Sequence, residues 1–191
     1  MNLDPTSQDF FEEMYRQSSD PWSFASSPYE LSRYDAIVHA LNANRYRHAF
    51  EPGCSVGVLT GLLATLCDRV DAMDISPTAV MIAIERCVRF PHVEIHCRSL
   101  DDSFSVQDID LLVLSEIGYY FDRDRWRSLA ERLVKSVVPS GTILAAHWLG
   151  QSKDHRQHGD SVHEVLRSIG SMSLEYSERN ISFRLDRWRK L

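Results

Sequence analysis

Apolar residues recur along this chain at two different spacings, and the switches between them divide it into elements. Over 7–17, Phe10, Phe11, Met14 and Tyr15 share one helical face, with Thr6 or Ser7 available as the cap. The stretch 18–28 is polar with embedded aromatics, Trp22 and Phe24, and two prolines. It predicts a loop, placed to act as a lid, that leads into a helix over 29–41. From His48 strand and helix alternate: a short strand ending at Glu51, a glycine turn, a helix over 57–67, a strand over 69–74, a helix over 77–88 with Pro77 in its first turn, and a strand over 93–97. Asp110-Leu-Leu-Val-Leu-Ser115 is apolar after its first residue, as a strand covered on both faces must be. A helix over 124–138 follows, then a turn at Val138-Pro139-Ser140-Gly141, a strand over 142–148, a helix over 160–169, and two alternating runs, 173–179 and 181–188, expected as an antiparallel hairpin that closes the sheet. The pattern predicts a doubly wound α/β sheet of seven strands, mostly parallel, with helices on both faces. Its ligand belongs beyond the carboxyl ends of the strands.

Composition narrows this little and excludes much. With 191 residues, 43% hydrophobic and 25% charged, the chain reads as one globular domain, a helical cap over 1–42 and an α/β core over 43–191. Lys and Arg number 21 against 27 Asp and Glu; a net charge of −6 disfavours nucleic acid. The longest stretch free of charged residues, 136–152, holds Pro139, Gly141, His147 and Gly150, so no membrane span is expected. The polar, acidic N-terminus lacks the marks of a signal peptide, and a cytoplasmic location is expected. Cys54, Cys67, Cys87 and Cys97 form no C-x-x-C pair and are expected as buried thiols; His155, His158 and His163 are not read as a metal trio, and no metal site is expected. The run Arg184, Arg187, Arg189 and Lys190 reads as the wet face and frayed end of an edge strand.

The most informative segment is Glu51-Pro52-Gly53-Cys54-Ser55-Val56-Gly57, which passes from strand through a glycine turn into helix. Gly53 and Gly57 remove side chains that would bar a ligand from the backbone, and helix-start amides face the bound group. Ser55 and Thr60 stand where a dinucleotide fingerprint needs its second and third glycines, and no G-K-[ST] follows, so pyrophosphate and triphosphate ligands fit badly. Asp74 ends the next strand, 17 positions beyond Gly57, where a carboxylate accepts from a ribose diol. An adenosine bearing something other than phosphate is indicated, S-adenosylmethionine above all.

These residues, with Asp74-Ile75-Ser76, resemble the first two motifs of class I S-adenosylmethionine-dependent methyltransferases, over nearly the whole chain. Asp20-Pro21-Trp22, Tyr29-Glu30, Arg33-Tyr34 and Ser115-Glu116-Ile117-Gly118-Tyr119-Tyr120 resemble the nodulation protein S group in particular. The resemblance implies a Rossmann-like methyltransferase sheet and transfer of a methyl group to the amine of a deacetylated amino sugar or chitooligosaccharide. An N- or O-methyltransferase of a non-sugar metabolite, or an inactive cofactor-binding regulator, are the alternatives, in a monomer or homodimer. By motif position, Glu51, Gly53, Cys54 and Gly57 hold the methionine end, Asp74 and Ile75 the ribose side, and Ser115 lends backbone near the methionyl group. The aspartate that many relatives direct at the adenine amine is missing from Arg98-Ser99-Leu100-Asp101-Asp102. Leu100 takes its place, with Ser99 and backbone amides as contacts, or Asp101 does after a one-residue shift.

Around this frame, Glu116 and His147 follow the fourth and fifth strands and are either proton acceptors or structural hydrogen-bonding groups. Tyr119 and Tyr120 line an acceptor pocket or pack a loop; Arg33 grips a carboxylate or stays a solvated charge; Trp22 shuts the site or anchors the first helix.

Overall fold

The computed structural model describes residues 4, 7–41, 45–102 and 106–191; Thr6, one of the two caps considered, and the 42/43 boundary between cap and core lie outside them. The elements run α1 (Gln8–Gln17), α2 (Pro28–Leu41), β1 (Tyr46–Pro52), α3 (Val58–Leu66), β2 (Cys67–Asp74), α4 (Pro77–Cys87), β3 (Val93–Cys97), β4 (Ile109–Ser115), a 3₁₀ turn (Gly118–Tyr120), α5 (Arg123–Lys135), β5 (Val137–Trp148), α6 (Gly159–Arg167), β6 (Met172–Arg179) and β7 (Phe183–Lys190). The seven strands are ordered β3-β2-β1-β4-β5-β7-β6. The first five are parallel; β7 runs antiparallel to both β5 and β6.

Strand pleating sorts the core into two layers. On β4, Leu111 and Val113 pack with Ile37 and Leu41 of α2 and Leu59 and Leu63 of α3. Their neighbours Leu112 and Leu114 pack on the opposite face with Trp126, Leu129 and Leu133 of α5 and Val162 and Leu166 of α6. β5 divides the same way, Leu144 and Ala146 to the first layer and Ile143 and Ala145 to the second. α2 is thus a wall of the core, whereas α1 touches the body chiefly through α4 and a small aromatic cluster. Ser7 starts α1, its hydroxyl accepting from the Phe10 amide at 3.2 Å, and Ser76 caps α4 ahead of Pro77 by accepting from Ala79. No described helix is long and apolar enough to cross a membrane.

Three expectations fail. Val138-Pro139-Ser140-Gly141 is not a turn before a strand but a bulge inside β5: the partner of Ile109 is Val137, that of Leu111 is Thr142, and Ser140 takes φ 64°. The arginine run is not an edge, because β7 lies between β5 and β6; its charges are met by Asp160 and Asp186 for Arg184, by the Ala40 carbonyl for Arg187 and by Glu175 for Arg189. Cys97 is exposed, unlike the other three cysteines, and all four are free thiols.

Candidate active site

The carboxyl ends of β1, β2 and β4 meet at one cleft. Beyond Pro52 the chain takes left-handed conformations at Gly53 (φ 75°), Ser55 (φ 50°) and Gly57 (φ 76°) before entering α3. The amides of Gly53 and Cys54 both donate to the Met73 carbonyl, at 2.7 and 2.9 Å, which ties the turn to the end of β2. The two glycines serve different ends. A methyl group on Gly57 would lie 2.9 Å from the Ala83 Cβ, so its absence brings α3 against α4, and Gly57 does not line the cleft; Gly53 does. Asp74 is buried, its Oδ2 accepting from the Ser55 amide (2.9 Å) and its Oδ1 from the Ser76 amide (3.0 Å). Burial raises its pKa above the usual aspartate value although the amides of Ser76, Ser55 and Ile75 pull the other way. Three amides on a carboxylate with about four acceptor positions leave room for a further donor, such as a ribose hydroxyl.

Deeper in the sheet, Glu51 is buried with the Thr60 hydroxyl donating to it at 2.6 Å; burial pushes its pKa up to about 8. Arg33 is 1% exposed, and so is no solvated charge. It pairs with Glu30, donates to the Ser115 hydroxyl at 2.5 Å and stands 3.8 Å from Glu116 Oε1. Burial opposes its charge, but Glu116 and Glu30 more than compensate and keep the guanidinium protonated. Its Nε is buried and has no partner among the described residues. Glu116 has a left-handed backbone (φ 56°), and its carboxylate accepts from the Tyr119 hydroxyl (2.6 Å) and the Trp148 amide (2.7 Å).

The cleft encloses about 730 Å³ including its mouth. Gly53, Asp74, Ile75, Ser99, Leu100, Glu116 and Tyr120 line it, and Phe11, Tyr15, Trp22 and Phe24 cover it. A second recess of about 290 Å³, lined by Arg33, Glu51, Cys54 and Ser115, adjoins it at Gly53, Ser55 and Glu116. The cover is fastened at two points. Tyr15 donates to the Ser55 hydroxyl at 2.5 Å. Glu12 accepts from the Ser76 hydroxyl (2.7 Å), the Thr78 amide (3.1 Å) and the Thr78 hydroxyl (2.8 Å) at the start of α4; burial alone would raise its pKa, but these donors and Arg16 bring it down to about 2. Trp22 lines the cleft, and its ring packs on Tyr15 of α1 at 5.5 Å between centroids.

Besides Gly57, two candidates line neither the cleft nor the adjoining recess. Tyr119 is buried, its hydroxyl spent on Glu116 and its ring stacked on His155 at 3.7 Å. His147 has no exposed surface, and both ring nitrogens are engaged, Nε2 by the Gly118 amide and Nδ1 by His163. Of the two adenine-side readings, Leu100 forms part of the cleft wall, while Asp101 is drawn off to Arg125 of α5. Sequence reasoning missed Phe24, Ile117, Phe121 and Arg98 as lining residues; in loops, nothing in spacing alone distinguishes them. Away from the cleft, Asp71, Glu94 and His96 are the described residues close enough together to share a metal, but Arg69 already bridges the two carboxylates at 3.1 and 3.2 Å.

The profile of the nodulation protein S (NodS) family matches residues 7–170. Nodulation protein S of Bradyrhizobium diazoefficiens is 27% identical over 127 residues, 65% of this chain and 61% of that protein. That of Sinorhizobium fredii is 28% identical over 129 residues, 66% of this chain and 60% of that protein. The chain thus spans about three-fifths of the length of either relative. The crystal structure of N-methyltransferase NodS from Bradyrhizobium japonicum WM9 in complex with S-adenosyl-L-homocysteine superposes with a TM-score of 0.84 at 20% identity, covering 98% of this chain and 99% of that one. The sheet order, the cleft at the ends of β1, β2 and β4 and the match over residues 7–170 agree: the chain belongs to the nodulation protein S family.

Proposed function

We propose that this chain is an S-adenosylmethionine-dependent N-methyltransferase whose acceptor is the amine of a deacetylated amino sugar or chitooligosaccharide. The observation that carries the reading is the pairing of two recesses: a buried Arg33, whose Nε has no partner among the described residues, lines one together with Glu51, and the Asp74 carboxylate lines the other. An amino acid joined to a nucleoside fits that pair, its carboxylate at Arg33, its ammonium at Glu51, its ribose diol at Asp74 and its base against Ile75, Ser99 and Leu100. The name of the Bradyrhizobium japonicum structure, an N-methyltransferase with S-adenosyl-L-homocysteine, supports the same ligand. The four free thiols support a cytoplasmic setting.

When bound, the sulfonium supplies an electrophilic methyl group. The chain supplies alignment, dryness and a proton acceptor. Alignment of reacting atoms is worth roughly 7–11 kcal/mol, more than the 10²–10⁴-fold typical of a general base, so positioning dominates. Tyr120 and Phe11, 5.0 Å apart edge to face, offer apolar ring surface to an acceptor sugar and with Trp22 exclude water. Glu116 has lone pairs beyond those taken by Tyr119 and Trp148, and takes the proton that an amine acceptor sheds.

Calorimetric titration with S-adenosylhomocysteine, followed by transfer of a labelled methyl group to chitosan oligomers, tests the reading. Binding with label on deacetylated but not fully acetylated oligomers is expected. No heat would remove the cofactor; binding with label on another metabolite of a cell extract would replace the acceptor, and binding without turnover on any extract would make the chain a regulator.

A further inference from the structure

Three fully buried ionisable groups lie outside the chemistry above. His147 of β5, His163 of α6 and Asp186 of β7 each have 0% exposure. Such groups are costly in an apolar interior unless every hydrogen-bonding position is met. Here they form a line. The Gly118 amide lies 3.1 Å from His147 Nε2, His147 Nδ1 lies 3.1 Å from His163 Nε2, and His163 Nδ1 lies 2.7 Å from Asp186 Oδ2.

The first link dictates the proton positions in all the others. A backbone amide can only donate, so His147 Nε2 bears a lone pair and the neutral ring carries its hydrogen on Nδ1. That hydrogen points at His163 Nε2, which must accept it. His163 therefore carries its own hydrogen on Nδ1 and donates it to the Asp186 carboxylate. Asp186 also accepts from the Ser177 hydroxyl (2.5 Å) and from Arg184 Nε (2.8 Å), so its charge is met. Burial holds both imidazoles below their ordinary pKa, in keeping with two neutral rings.

The line ends on the 3₁₀ turn that follows Glu116. Outside, the Gln157 side-chain amide donates to the carbonyls of Gly118 (3.1 Å) and Phe121 (3.0 Å), and the Arg156 amide donates to that of Tyr119 (2.8 Å). Inside, among the described residues, His147 alone meets the Gly118 amide. Between these clamps sit Tyr119, bonded to Glu116, and Tyr120, which lines the cleft. The left-handed backbone of Glu116 is a conformation that persists in a non-glycine residue only when its surroundings impose it.

We propose that Asp186, His163 and His147 are a positioning relay, whose output is one correctly oriented acceptor for the Gly118 amide and whose effect is to hold Glu116 and Tyr120 toward the methyl acceptor. His147 acts through the turn and touches no reacting atom. The functional meaning of the relay rests on the methyltransferase reading; its geometry does not.

Two measurements on the full chain separate the two. Long-range proton–nitrogen spectra at neutral pH should show His147 and His163 as neutral rings protonated at Nδ1. A hydrogen on Nε2 of His147, or an imidazolium at either position, overturns the relay without any variant being made. Amide exchange is then compared in His147→Leu and His147→Gln, the glutamine oxygen standing where Nε2 stood. Exchange at Gly118 and Tyr119 should rise at least tenfold in the leucine variant and return to within threefold of the parent in the glutamine variant, with S-adenosylhomocysteine affinity within threefold in both. Equal exchange in all three proteins overturns the proposal. With a deacetylated chitosan oligomer, kcat should fall tenfold in the leucine variant at unchanged KM for the methyl donor, and recover with glutamine; a leucine variant with undiminished kcat overturns the positioning role. A parent protein that binds no S-adenosylhomocysteine refutes the methyltransferase reading, while the spectra and the exchange still decide the relay.

Discussion

Glu51 shows how a single side chain couples folding, binding and pH. Its folded pKa, about 8, lies above the usual 4.5, so stability on its account is complete below pH 4.5 and declines as pH rises toward 8, by about 5 kcal/mol at most. An ammonium placed beside it favours the carboxylate, so ligand binding near pH 7 should release close to one proton. Calorimetry of S-adenosylhomocysteine in buffers of different ionisation enthalpy measures that release; in Glu51→Gln it should vanish, with affinity down at least tenfold and a flatter stability–pH curve. In the proposed reaction Glu116 acts on the acceptor side. Glu116→Gln keeps an oxygen for Tyr119 or Trp148 and should lower kcat by roughly 10²-fold while leaving cofactor affinity within about threefold. An unchanged kcat would take Glu116 out of the chemistry. Residue identities at strand ends pointed to Glu51, Asp74, Ser115 and Glu116, and the structure places all four along the cleft or its adjoining recess. His147 was ambiguous: only its neighbours, His163 from α6 and the Gly118 amide, reveal that its nitrogens are already spent.

Among elements, the turn into α3 separates a packing glycine from one that lines the cleft. Gly57→Ala meets left-handed strain of about 1–2 kcal/mol and the crowding of Ala83, and should lower the melting temperature by several degrees. Gly53→Ala meets the movable tip of Ile117 but intrudes on the cleft, and its loss of S-adenosylhomocysteine affinity should exceed its loss of stability. Thermal melts set beside titrations of both variants check the contrast. The α1 segment should behave as a cover. Amides from Phe11 to Trp22 are expected to gain hydrogen-exchange protection on S-adenosylhomocysteine binding, and Glu12→Gln should speed ligand release about tenfold. Because the Glu12 pKa is lowered to about 2, this fastening is complete above pH 4.5 and fades only as pH falls toward 2. Equal protection with and without ligand would show that α1 is fixed regardless. The amphipathic spacing of α1 was readable; its two fasteners were not, since Ser55, Ser76 and Thr78 lie far along the chain.

At the level of the whole molecule, the alternation of strand and helix announced the sheet and its two faces, because pleating and helical period leave their marks in local sequence. Pairing leaves none. The bulge at Val138 to Gly141 looked like a turn because proline, serine and glycine populate both, and only the register against β4 distinguishes them. The insertion of β7 between β5 and β6 was hidden because its arginines suit an edge equally well until Asp160, Glu175 and Asp186 are brought alongside. The same packing predicts which part of the N-terminal region is dispensable. Deleting residues 1–17 should leave one cooperative unfolding transition a few degrees lower, with weakened ligand binding. A further deletion through α2 should abolish the folded state, as Ile37 and Leu41 are wholly buried in the first core layer. Circular-dichroism melts of the two truncations read both outcomes.

With β7 enclosed, any extended peptide or second copy seeking to lengthen the sheet meets only β3 and β6 among the described strands. β3 is five residues long, and β6 carries Glu175, Glu178 and Arg179 and breaks register between Leu174 and Tyr176. Short, charged and kinked borders discourage backbone-to-backbone growth. A companion molecule would therefore have to be met by side chains, and the same borders guard the chain against fibrous stacking.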